Sequence, residues 1–69
     1  MLVEFHRAFS EVENTRYICV HAIVEMETTT DNNTLVTYRG PNKQAKMFVA
    51  VGPVSDNVYR VNQARKKGG

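Results

Sequence analysis

The sequence predicts a mainly β fold: a small antiparallel sheet, or an SH3- or OB-like barrel of four to five strands, with a short C-terminal helix as an alternative end. Three observations carry this. Residues 16–27, RYICVHAIVEME, are the longest apolar run, and Ile18, Val20, Ala22, Val24 and Met26 recur at every second position, the period of a strand with one buried face. The remaining apolar stretches are short and are separated by turn formers: TTTDNNT, Gly40-Pro41-Asn42 and Gly52-Pro53. Finally, 69 residues make one domain, 1–69, with 62–69 expected as a basic tail.

Taken in order, residues 2–9 alternate through Val3, Phe5, Arg7 and Phe9. This predicts a first strand with Phe5 and Phe9 as core rings. SEVENT, residues 10–15, is polar and rich in turn formers, so it is expected as a loop anchored by Val12. The long run at 16–27 exceeds the usual strand length, and a strand of that length bends or serves two parts of a curled sheet. Its second face reads Tyr17, Cys19, His21, Ile23, Glu25. Asp31, Asn32 and Asn33 tolerate the left-handed backbone of tight turns, and TLVTYR follows, so residues 17–39 read as a hairpin. With Asp31-Asn32-Asn33 as the loop, Met26 faces Tyr38, Thr28 faces Val36 and Glu25 faces Arg39.

Gly40-Pro41 ends that strand, because proline cannot donate to a ladder. MFVAV, residues 47–51, is continuous and apolar, the pattern of a strand buried on both faces. The last segment, VSDNVYRVNQARKKGG, supports two conformations. As a helix, Ser55 is the N-cap, and Val54, Val58, Val61 and Ala64 or Arg65 line one side. As a strand, Ser55-Asp56-Asn57 is a turn and VYRV pairs with MFVAV. The β-branched run tips the expectation to a fifth strand with a basic end.

A chain this short buries a modest fraction of its surface and gains from a staple. The single Cys19 excludes an internal disulfide, and Cys19, His6 and His21 lack the spacing of a zinc site. A second copy remains, so a homodimer is one candidate assembly. No apolar run reaches the ~20 residues needed to span a bilayer. Glu4, His6 and Arg7 interrupt the first apolar stretch, unlike a secretion signal. With one free thiol, the cytoplasm is the expected location.

The formal net charge of +2 hides an asymmetry. Residues 1–35 carry two arginines against six carboxylates, a balance of −4; residues 36–69 carry seven cations against Asp56, a balance of +6. Opposite charges paired across a sheet would neutralise this split; left unpaired, they make two charged surfaces.

The sequence holds no catalytic set. Cys19 and His21 share a strand face about 6–7 Å apart, too far for a nucleophile pair, so Cys19 is expected as a small buried hydrophobe. His6 and His21 offer a metal two ligands at most. Glu11/Glu13 and Glu25/Glu27 sit at i, i+2, but acid–base work needs a cleft that splits their pKa values. No glycine-rich phosphate loop exists, and no cofactor is implied. The ending RKKGG resembles the tail of ubiquitin-like modifiers in Gly68 and Gly69 after a basic run. That family's β-grasp fold has a helix where this chain has TTTDNNT.

The expected function is therefore non-enzymatic: a module that occupies the surface of a protein partner. One form is a phage or mobile-element inhibitor of a nucleic-acid-handling host complex, anti-CRISPR-like, with Glu11, Glu13, Glu25, Glu27 and Asp31 as a protein-binding acidic face that mimics phosphates. The alternative is a nucleic-acid-binding β-barrel that uses Arg39, Lys43, Lys46, Arg60, Arg65, Lys66 and Lys67, with Tyr38 and Tyr59 placed for stacking.

Overall fold

A computed structural model describes residues 1–9 and 15–68. The chain runs β1 (Leu2–His6), β2 (Thr15–Cys19), a 3₁₀ turn (Val20–Ala22), β3 (Ile23–Thr28), β4 (Thr34–Arg39), β5 (Ala45–Ala50) and α1 (Val54–Gly68). β1 and β2 form one antiparallel sheet, and β3, β4 and β5 form another. Among the described residues a single bridge, Arg7 to Ala50, joins the two sheets, and the barrel is not closed.

The long run at 16–27 bends and serves both sheets. Its bend is the 3₁₀ turn, where Val20 is buried and its N–H donates to the Met1 carbonyl at 2.9 Å. After the bend the alternation slips. Ile23 pairs with Tyr38 and Glu25 with Thr37, which leaves Val24 as an extra residue, the signature of a β-bulge. Ile18 and Val20 are buried and Ala22 and Met26 pack against the core, but Val24 is exposed and Ile23 takes its place.

The β3–β4 hairpin closes one residue earlier than the sequence predicts. Thr29 N–H donates to the Asn33 carbonyl at 3.0 Å, and Asn32 N–H to the Thr29 carbonyl at 3.1 Å. The loop is thus 30–32, with Asn32 at φ 61°. Moving the loop by one residue moves the register by two. Met26 faces Val36, Thr28 faces Thr34, and Glu25 faces Thr37 rather than Arg39. A shift of two preserves which side chains point inward, so the core survives the correction. The Thr29 hydroxyl fixes the closure by accepting from Asn33 N–H at 3.0 Å.

The β4–β5 hairpin repeats this turn. Gly40 N–H donates to the Gln44 carbonyl at 2.8 Å and Lys43 N–H to the Gly40 carbonyl at 3.0 Å, with Lys43 at φ 63°. Pro41 occupies the turn position that favours its fixed φ. β5 differs from its expected double burial: Phe48 and Ala50 are buried, while Met47 and Val51 are exposed, because none of the described elements covers the second face.

The last segment is a helix, not the fifth strand the β-branched residues favoured. Asn57, Val61 and Ala64 are buried, a stripe at i, i+4, i+7. The helix continues through residues 62–68, the stretch expected as a tail. Tertiary burial of this stripe overrides the strand propensity of the valines. Asn57 is the centre of it, 1% exposed. Its Nδ2 donates to Thr34 Oγ1 at 2.8 Å and to the Pro53 carbonyl at 3.2 Å. Thr34 Oγ1 donates onward to the Gly52 carbonyl at 2.9 Å, and Gly52 N–H donates to Asn33 Oδ1 at 3.1 Å. Gly52 itself has φ 98°, a conformation strained for any side chain.

An aromatic cluster packs the two sheets together. Phe48 meets Phe5 edge-on at 5.6 Å and Tyr38 at 5.8 Å, geometries that aromatic pairs prefer. Arg16 lies over the Phe48 ring at 5.6 Å and donates to the Tyr38 hydroxyl at 2.9 Å. Phe9, expected in this core, is instead 78% exposed at φ 63°. The chain turns at Ala8 and Phe9 after the bridge to β5, and the alternation of β1 ends there.

Three substitutions have expected outcomes. Asn57→Ala lowers stability by about 1–3 kcal/mol, since buried acceptors lose their donor. Asn57→Asp costs more at pH 7, because a carboxylate then faces carbonyls. That buried carboxyl has a raised folded pKa, so relative to the parent protein the loss shrinks as pH falls towards 4. Urea unfolding at both pH values checks this. Lys43→Asn, which removes a long side chain from a left-handed position, raises stability by about 0.5–1 kcal/mol in the same assay.

Candidate binding surfaces

The three-stranded sheet has an inner and an outer face. Thr34, Val36, Phe48 and Ala50 point to the core. The outer face is set by register. One cross-strand row is Glu25, Thr37, Met47; the next is Glu27, Leu35, Val49. Leu35 and Val49 are half-buried and Met47 is 64% exposed. This makes an apolar strip bounded on the β3 side by two carboxylates. Asp31 is exposed in the loop that follows β3. Among the described residues, Glu25, Glu27 and Asp31 have no ion-pair partner. Glu11 and Glu13 lie outside the described residues.

Cross-strand neutralisation does not occur among the described residues. The one acid–base contact there is within β1, where His6 Nε2 lies 3.4 Å from Glu4 Oε1, an ion pair only when the imidazole is protonated. Tyr17, opposite Glu4 on β2, donates from its hydroxyl to Glu4 Oε2 at 3.3 Å.

The structure divides the basic residues between two places. Arg39, Lys43 and Lys46 surround the β4–β5 turn, while Arg60, Arg65, Lys66 and Lys67 lie on α1. Tyr38 is committed to the core, through Phe48 and Arg16, and Tyr59 is 64% exposed. Of the two Tyr-Arg pairs, only Tyr59-Arg60 faces solvent. It lines an open groove of about 370 Å³ between β1 and α1, with Leu2 and Ala64 below and Lys67 beside it.

The residues read from sequence as chemically suggestive are kept apart. His6 pairs with Thr15 at one end of the β1–β2 ladder, and His21 follows Val20 at the other. Five residues of strand, about 17 Å, separate these ends, so the two histidines do not share an ion. No group of three or more metal-ligating side chains forms among the described residues. Cys19 is exposed, not buried as expected. It sits opposite Leu2 on the outer face of the β1–β2 sheet, one residue before the bend carries the chain inward. No helix among the described residues is long and apolar enough to cross a membrane.

Sequence reasoning missed Asn57, Arg16 and the groove. The signal for Asn57 was its i, i+4, i+7 spacing with Val61 and Ala64, hidden because an asparagine is not counted as apolar. No local signal places Leu2 beside Tyr59. No protein-family model, curated protein or solved structure matches the chain.

Because Cys19 is exposed, the folded protein is expected to release one equivalent of thionitrobenzoate with Ellman's reagent in buffer alone. A thiol that reacts only after addition of denaturant contradicts this placement.

Proposed function

We propose that this protein is a non-enzymatic binding module that covers a surface of a protein partner with the outer face of its three-stranded sheet. The observation that carries the reading is the apolar strip of Leu35, Met47 and Val49 lying beside Glu25 and Glu27. A desolvated apolar centre with a charged rim is the anatomy of protein interfaces. The partner's complementary surface is basic. Glu25 and Glu27, about 7 Å apart along the strand, present paired negative charge of the kind that a protein's basic, nucleic-acid-binding groove attracts. A phage or mobile-element inhibitor that blocks a nucleic-acid-handling complex is the form of module these carboxylates suit.

The test compares four proteins in affinity capture from a lysate of the source organism: the parent, Glu25→Lys/Glu27→Lys, Met47→Glu and Lys66→Gln/Lys67→Gln. These side chains are exposed, so the folded state is expected to change by about 0.5 kcal/mol or less per site. The parent is expected to hold a stoichiometric partner. The Glu pair and Met47 variants are expected to lose it, and the Lys66/Lys67 variant to keep it. If capture instead depends on Lys66 and Lys67, or the parent binds short DNA or RNA more tightly than any protein, the basic surface is the functional one.

A further inference from the structure

A second surface is built differently, from backbone as well as side chains. Val20 N–H donates to the Met1 carbonyl. In the β1–β2 register, Val3↔Ile18 and Phe5↔Arg16 are then the hydrogen-bonded pairs. Alternate residues of an antiparallel strand turn their polar groups to opposite sides. Leu2 and Glu4 therefore direct N–H and C=O away from β2. Two contacts agree with this. The His6 carbonyl, next in the same series, accepts from Val51 N–H at 2.6 Å, and Ala8 N–H donates to the Val49 carbonyl at 2.8 Å. The far half of this edge is thus occupied by β5, which turns away at Gly52-Pro53. The near half, at Leu2 and Glu4, opens into the groove beside α1.

The groove supplies the rest of a recognition site. Leu2 and Tyr59 are 61% and 64% exposed, so apolar surface is left for a ligand to cover. Arg60 and Lys67 stand along the helix side. Arg60 Nη1 already donates to the Glu4 carbonyl at 3.4 Å, which shows that a donor from the helix side reaches this edge. Glu4 is the one acid of the groove lining, where two cations, Arg60 and Lys67, outnumber it, so the charged side chains of the groove sum to positive.

We propose that the groove between β1 and α1 takes an extended acidic peptide as a strand added to β1 at Leu2 and Glu4. Strand addition draws affinity from main-chain hydrogen bonds and specificity from alternate side chains. The peptide's backbone bonds Leu2 and Glu4. Its apolar residues cover Leu2 and Tyr59, and its carboxylates meet Lys67 and Arg60, whose bond to the Glu4 carbonyl the peptide backbone replaces. This inference shares with the function proposed above only that the partner is a protein. It uses a different surface, so the two fail separately.

The probe is a fluorescein-labelled octapeptide of alternating valine and aspartate, measured by anisotropy with the full chain. It is expected to bind at least tenfold more tightly than the valine–lysine octapeptide and than an oligothymidine ten-mer. Methylating alternate backbone nitrogens, which removes the strand donors without touching the protein, is expected to weaken binding at least tenfold. Arg60→Glu/Lys67→Glu, checked for native circular dichroism, is expected to do the same. Glu25→Lys/Glu27→Lys is expected to leave peptide binding unchanged. The proposal is overturned by absence of saturable binding to the acidic peptide, by tighter binding of the oligonucleotide, or by indifference to methylation at every alternate position.

Discussion

The amide of Asn57 is the constraint on which the rest of this fold depends. Two consecutive segments, the Gly52-Pro53 turn and the first turns of α1, meet a distant one at it, the start of β4 through Thr34. None is held by apolar packing alone. A buried polar group is tolerated when its partners are in place and costly when they are not. No buried side-chain polar atom among the described residues lacks a partner, so the network is complete. It sets the angle at which the helix leaves β5, and that angle brings Val61 and Ala64 down on the core. For a chain of 69 residues, with little apolar area to spare, such positional information has outsized value.

From this anchor the two candidate surfaces take their places. α1 covers one side of the core, and none of the described elements covers the outer face of the three-stranded sheet. The same helix passes β1 on its unpaired side, so a groove forms where an edge strand would otherwise be open to any chain. Edge strands are a hazard unless blunted. Here Arg60, reaching the Glu4 carbonyl, partly guards that edge. The charge asymmetry of the sequence survives folding in part: Glu25, Glu27 and Asp31 lie on β3 and its turn and most cations on the β4–β5 turn and the helix, while Arg39 shares the outer sheet face with the β3 carboxylates.

Much of the β content was legible because period-two alternation reports burial directly. Val3, Phe5, Ile18, Val20 and Val36 declared the inner faces, and Asn32 and Pro41 declared the turns. What was not legible shares one cause: it depends on contacts between segments far apart. The hairpin loop fell one residue early because a Thr29 hydroxyl captures Asn33. The helix prevailed over a strand because Thr34 waits for Asn57. Phe9 lost its expected place because His6 and Ala8, on either side of Arg7, bond across to Val51 and Val49. The acidic set was partly legible: Glu25 and Glu27 share an outward face as their spacing required, but the apolar strip beside them follows from β4 and β5 pairing. The groove residues had no signature at all, since Leu2 and Lys67 come from opposite ends of the chain.

The joining of the two sheets by one bridge has a consequence for how the molecule assembles. β3, β4 and β5 pair with sequence neighbours through short loops, so their closure entropy is small and the meander is the natural nucleus. The Arg7–Ala50 bridge and the docking of α1 on β1 span more than half the chain and come later. The same order run backwards describes native fluctuations. Amide protons of β1 are expected to exchange through partial openings, and those of β4, paired on both sides, only when the whole domain unfolds.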